Sequence, residues 1–303
     1  AEKRGQPLTL IKSRVINTAG LIATEERAEI AYQHSILCQT GLPYRDPGEG
    51  AREWEREQGN ASLLIEAGKA RDPETGEWVK LGLPWGPKAR LVLMHLNSEA
   101  IRTRSRQVDV GGSLTEFVKR IGLTTDGRTI RTIKEQVSAL SGALIRMAFT
   151  GPQGGFQIDS KVVSGFDLWM PKDERQRILW PSYVDLSADY FESLSRHAVP
   201  LDERAIGALS HSAMALDVYA WLAQRLHRIP KGARHFIPWP ALKDQFGPDY
   251  GELYKFRQKF MIALKQAGAV YPAAKLDVNG QGLFLYPSAP PITKTSLTVA
   301  ALT

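Results

Sequence analysis

Two stretches of this chain carry the side chains that read polyanions, at helical spacing. In the first, Ile130, Ile133, Val137, Leu140 and Leu144 line one face of a helical wheel. The opposite face holds Arg128, Arg131, Thr132, Glu135 and Ser138, with Lys134 on the flank. In the second, Leu253, Phe256, Phe260 and Leu264 form the stripe, and Tyr254, Lys255, Gln258, Lys259, Lys265 and Gln266 lie away from it. Arg257 sits beside that stripe, where only its guanidinium could reach a phosphate. Ile262 is an apolar residue on the outer face, which a plain solvated helix would not favour. Arginine and lysine can donate to guanine O6 and N7, glutamine suits adenine, and glutamate can accept from cytosine N4. Backbone amides at the helix starts, with the hydroxyls of Thr124, Thr125 and Thr129, suit phosphates. A third stretch, "RLHRIPKGARH", holds Arg225, Arg228, Lys231 and Arg234 with no acidic residue to balance them. It suits contact with a nucleic-acid backbone. A solvated basic face competes with each of these readings; their recurrence in one basic chain favours duplex DNA.

The elements that must hold these residues follow from pattern and punctuation. Thr24 can cap a helix running through "EERAEIAYQHSILCQ". "PYRDPGEGAREWEREQG" reads as an exposed loop with a helical piece around Trp54, and short strands flank the turn "DPETG". "PKARLVLMHLNSEAIRT" is a helix with Pro87 in its first turn, and "RQVDV" a strand. Ser113 with Glu116 makes a capping-box pattern for "SLTEFVKRIG". A turn and the helix from Arg128 to about Leu144 follow, then strands around the Gly-rich tip "GPQGG". "RILWPSYVDLS" adds a strand and "ADYFESLSRHA" a helix. After "VPLDE", "AIGALSHSAMALDVYAWLAQRLHRI" reads as one helix. Beyond it come the strand "RHFIPW", a short helix opened by Pro240, the long helix ended by Gly268, and a hairpin turning at Asn279-Gly280. Helix, strand, helix, turn, helix, hairpin is the order of a winged helix, and it occurs twice. The expected class is α+β, mainly α, with two tandem winged-helix domains. The boundaries are an N-terminal extension at 1–86 packed on the first domain, domains at 87–202 and 203–287, and a loose tail at 288–303.

Composition narrows the partner. The 303 residues carry a net charge of +7, and 43% are hydrophobic. That is enough apolar material for real cores, with a basic excess that suits nucleic acid before anionic membrane. Cys38 is the only cysteine, so an intrachain disulfide and a cysteine-rich zinc site are excluded. No apolar run is long enough to span a membrane, and "AEKRGQPLTLIKSRV" lacks the apolar core of a signal peptide. A cytoplasmic protein without a membrane role is expected. GxxxxGK[ST], GxGxxG after a strand and HExxH are all absent. No two of the six histidines stand two apart, which counts against a metal-bound histidine pair of the rolling-circle nickase type. No enzyme activity, catalytic residue, metal or cofactor is therefore expected.

Several long segments resemble the plasmid-encoded RepA replication initiator proteins of bacteria. These are "ILCQTGLPYRDP", Trp54, "SLLIEAGKARDPETGEWVKLGLPWGPKARLVLMHLNSEAIRT" and "SLTEFVKRIGL". The resemblance implies an initiator that binds repeated sites in a plasmid origin, as a monomer on the repeats and as a dimer on its own promoter. It implies opening of an AT-rich segment and recruitment of the host replication initiator and helicase. By the same analogy the first winged unit dimerises and the second dominates base reading. A transcriptional repressor without an initiation role, or a DNA-processing enzyme such as a nickase or primase, are the alternatives.

Overall fold

Residues 9–24, 29–72, 75–151, 154–165 and 183–292 are described in a computed structural model of the chain. The chain opens with α1 (Leu10–Thr24), β1 (Ile30–His34), α2 (Leu37–Thr40), β2 (Glu53–Gln58), β3 (Ala61–Glu66), β4 (Lys69–Arg71) and β5 (Trp78–Lys80). Next come α3 (Gly86–Thr103), β6 (Gln107–Asp109), α4 (Leu114–Arg120), α5 (Gly127–Gly142), β7 (Leu144–Gly151), β8 (Gly154–Lys161), β9 (Val163–Gly165), β10 (Tyr183–Leu186) and α6 (Ala188–His197). The remainder is β11 (Ala198–Asp202), α7 (Glu203–Leu209), α8 (Ala213–Arg225), β12 (His235–Pro238), α9 (Trp239–Phe246), α10 (Leu253–Ala269), β13 (Leu276–Val278) and β14 (Gly282–Leu285). They form two compact units, one from residues 31–199 and one from residue 200 onward together with α1.

In the first unit, α3, β6, α4, α5 and the β7–β8 hairpin give the winged-helix order. Ser113 caps α4, accepting from the Glu116 amide at 3.1 Å, and the Glu116 carboxylate accepts from Gly112 N–H at 2.9 Å. Phe117, Ile133, Val137 and Leu140 are buried with Leu93 of α3 and Ile145 and Met147 of β7. The hairpin does not stand alone: the sheet order is β2-β3-β7-β8, with Ile65 paired to Ile145 and Leu63 to Met147. The winged-helix strand β6 pairs instead with β10.

Two arginines, Arg90 buried and Arg52 half-buried, tie the residues before α3 into this unit. Arg90, 2% exposed, donates to the carbonyls of Leu42 (2.6 Å), Gly86 (2.9 Å) and Pro43 (3.1 Å). Arg52 donates to the carbonyls of Leu81 and Ala67, both at 2.6 Å, and of Gly68 at 3.0 Å. That bend is where the backbone passes the end of α5. A Cβ on Gly68 would lie 1.8 Å from the Gly142 carbonyl oxygen, so no larger residue fits.

In the second unit, α8, β12, α9, α10 and the β13–β14 hairpin repeat the order. Here β12 joins the hairpin directly, in the order β12-β14-β13. Trp221, Phe246, Phe256 and Phe260 form an aromatic core with ring centroids 5.2–5.3 Å apart, and Trp239 meets Phe260 at 6.1 Å.

Several expectations fail here. Residues 30–34 are a strand and 37–40 a single turn, where one helix was read through 25–39; its first residues, 25–28, lie outside the described ones. The helix lies earlier, at α1, and packs on α7 and α10 within the second unit. Trp54 is on strand β2, not on a helical piece. The helix read through 205–229 breaks at Ser210–Ser212, because Ser212 caps a new helix by accepting from the Ala215 amide at 3.2 Å. The turn at "DPETG", the tip "GPQGG", the start of "RILWPSYVDLS" and the tail past Ile292 fall partly outside the described residues.

Two predictions follow from the buried polar groups of the first unit. Arg90→Met leaves three buried carbonyls without their donor, and it should lower unfolding stability by about 3 kcal/mol; chemical denaturation of the pure protein measures this. The second concerns histidines. Ile36 N–H donates to His34 Nδ1 at 3.2 Å, so Nε2 carries the proton and faces Ser193 Oγ at 3.0 Å. Burial first, then His197, depresses His34 to about 3. Burial first, then Arg102 and Arg120, depresses His95 to about 4. Both are neutral when folded, whereas the unfolded chain takes up their protons below about pH 6.5. Stability should be full above that pH and fall as pH drops toward 4, with a linkage slope of about two protons. His95→Leu should make the slope between pH 6.5 and 4.5 shallower.

Candidate nucleic-acid interface

The aromatic core of the second unit fixes α10 by Phe256, Phe260, Ala263, Leu264 and Ala267, all buried. Leu253, expected in the buried stripe, is 40% exposed at the helix start. The outer side presents Tyr254, Lys255, Gln258, Lys259, Ile262 and Lys265, all exposed, with Gln266 partly so. The helix contains no acidic residue. Its nearest carboxylate is that of Glu252 at the N-cap, 3.6 Å from the Lys255 ammonium in an exposed pair. Such a pair adds little to stability and opens readily to a phosphate.

Arg257, expected to reach a phosphate, also has partners within the unit. Its guanidinium lies over the Trp239 ring at 4.7 Å and donates to the carbonyls of Asn279 at 3.4 Å and Gly280 at 3.5 Å. It therefore braces the wing against α10. Trp239 adds to the brace, its Nε1–H donating to the Asn279 carbonyl at 3.2 Å and its amide to Gln281 O at 3.0 Å. The wing turn is centred at Gly280–Gln281, one residue later than expected. The Asn279 side chain holds it, accepting from Gln281 N–H at 2.8 Å and Gly282 N–H at 3.0 Å.

Arg228, Lys231 and Arg234 are exposed between α8 and β12. Arg234 lies over the Phe284 ring at 4.9 Å, which ties this basic segment to the wing sheet. Arg225 is different: burial lowers its pKa, it lies 5.8 Å from the Trp221 ring, and it belongs to the packing of the unit.

In the first unit Arg128, Arg131 and Glu135 are exposed on α5, with Thr132 and Lys134 partly so. Thr129 does not face outward. It is buried, and its hydroxyl donates to Asp126 at 2.8 Å while its amide donates to the same carboxylate at 2.9 Å. Thr124 donates to Asp126 at 2.6 Å. These bonds, the Thr124 one first, hold the Asp126 carboxyl well below the usual carboxylate range. The helix start expected to cradle phosphate is thus capped by a fixed negative charge, which repels one. The sequence signal was present, since Asp126 stands three residues before Thr129 as an N-cap.

Lys88, on the first turn of α3, was missed by reading α5 alone. Burial lowers its pKa, while the carboxylates of Asp126 and Glu135 raise it and Arg128 lowers it further. Lys88 therefore shares the field of the α5 outer face. On α5 the basic residues share their face with the exposed Glu135, whereas α10 contains no acidic residue. Among the described residues, no group of three or more His, Cys, Asp and Glu could hold a metal ion, and no helix is long and apolar enough to cross a membrane.

Comparison with known proteins agrees with this architecture. Two solved structures have the fold, both of domains 2 and 3 of RctB. One, a selenomethionine derivative, aligns with a TM-score of 0.54 at 8% identity, covering 84% of this chain and 99% of that one. The other aligns at 0.52 and 10% identity, covering 84% and 97%. No curated protein sequence matches significantly. The family described as plasmid encoded RepA protein matches residues 83–240, from just before α3 into α9 and just over half of the chain. On that match, the chain belongs to the plasmid-encoded RepA family.

Proposed function

We propose that the protein is a sequence-specific duplex-DNA-binding initiator of plasmid replication that acts without enzymatic chemistry. It binds repeated sites in the origin of its own plasmid, with α10 and the braced wing as the main reader and α5 as a second, weaker contact. The observation that carries this reading is the α10 face: three exposed lysines, Lys255, Lys259 and Lys265, around Tyr254, Gln258 and Ile262, with no acidic residue on the helix. Such a face presents donors for base edges and charge for phosphates together. Membership of the RepA family supports the initiator role, and the winged-helix order supports placing a long helix in the major groove. Self-association, repression of its own promoter, contact with the host initiator and helicase, and a cytoplasmic location belong to the same reading.

The test is anisotropy titration of the plasmid's own origin duplex over a range of salt. Binding should weaken steeply as salt rises. Lys259→Ala should cost about 1–3 kcal/mol if it meets a base, or reduce the salt slope by about one if it meets a phosphate. Arg131→Ala should cost less, because α5 carries Glu135 on the same face while α10 carries no acidic residue. Unchanged titrations for both variants would remove these helices from the interface. Supercoiled origin DNA incubated with the protein and Mg²⁺ should stay intact; a nicked product would replace the proposal with a DNA-processing enzyme.

A further inference from the structure

The centre of the α10 face is apolar where a merely solvated helix would be polar. Ile262 is 55% exposed, and the helix is anchored without it by Phe256, Phe260, Ala263, Leu264 and Ala267. Tyr254, Gln258 and Ile262 follow one another four residues apart, so they form one row along the outer face. Lysines flank the row, placing the isoleucine in a positive field. An apolar protein partner would have to bury those ammonium groups, at a cost. The major groove instead offers phosphates to the lysines and, among base edges, one apolar group, the thymine C5 methyl.

We infer that α10 reads A·T pairs, with Ile262 packed on a thymine methyl and Gln258 paired to the N7 and N6 edge of an adenine. This rests on the duplex-binding reading above. Four residues of helix advance about 6 Å, close to two base-pair steps of about 3.4 Å. The two side chains therefore address pairs about two steps apart in one half-turn of groove. The outer face of α5 offers Arg128, Arg131, Thr132 and Glu135 and no exposed aliphatic residue comparable to Ile262.

The full-length protein is used to select binding duplexes from a random library, and an enriched duplex is then synthesised with thymine or with uracil, which lacks only the methyl. Wild type should bind the uracil duplex about fourfold more weakly for each methyl contacted. Ile262→Ala should bind both duplexes equally, at the weaker level. Gln258→Ala should still distinguish thymine from uracil. Equal affinity of wild type for the two duplexes, or an undiminished difference in Ile262→Ala, overturns the inference while leaving duplex binding intact. Failure to enrich any duplex overturns both.

Discussion

The fold of the first unit depends on satisfying one buried cation. Arg90 lies inside α3 with almost no water contact, so its guanidinium must find acceptors in the protein or destabilise it severely. Two of its three carbonyl partners, Leu42 and Pro43, come from the chain before the winged helix. The helix that begins the winged motif cannot pack well without that segment. Arg52 repeats the device at the bend where Gly68 crosses Gly142. Residues 31–86 are accordingly not an appendage laid on a finished domain. They supply acceptors to α3 and two strands to the sheet that holds the β7–β8 hairpin.

That construction has a consequence for function. In the first unit β7 is paired on both sides, by β3 and β8, so the hairpin is built into a four-stranded sheet. In the second unit the hairpin carries only β12 in addition, and its tip is held by Arg257 and Trp239 beside α10. Electrostatics divide the units in the same direction. Lys88 shares the field of Asp126, Glu135 and Arg128 beside α5, whereas α10 contains no acidic residue and its Lys255 pairs with the exposed Glu252 at the N-cap. A strong polyanion contact is favoured where the helix carries no acidic residue and the neighbouring turn is fixed.

Much of this was legible in the sequence, and the limits have physical causes. The stripes Ile133–Val137–Leu140 and Phe256–Phe260–Leu264 define helices because burial of one face imposes a helical period. The capping pair Ser113 and Glu116 and the strand "RQVDV" were readable for similarly local reasons. "AEIAYQHSILCQ" misled because its apolar residues also fit a helical wheel, and only tertiary pairing selects a strand there. The break at Ser212 was hidden in an apolar run whose two halves are both helical. The partners of Thr129 and Arg257 were not read from the sequence, because a side chain's position along a helix does not name the group it bonds. Thr129 is captured by Asp126, three residues away, and could have been foreseen. Arg257 is captured by a turn more than twenty residues downstream, and no local pattern encodes that.

The partners of Arg257 give it a contribution besides charge. Its guanidinium joins α10 to the wing through two carbonyls while its flat face rests on Trp239, which itself bonds the same turn. Trp239 in turn meets Phe260 of the aromatic core. Helix, wing and core are therefore linked through a few contacts with little rotational freedom. A reading surface held in this way loses little conformational entropy when it meets its target. On the proposed reading, discrimination between bases would gain from such a fixed support, since a hydrogen bond or methyl contact is lost by small displacements. The residue expected to add charge to the interface also supplies rigidity.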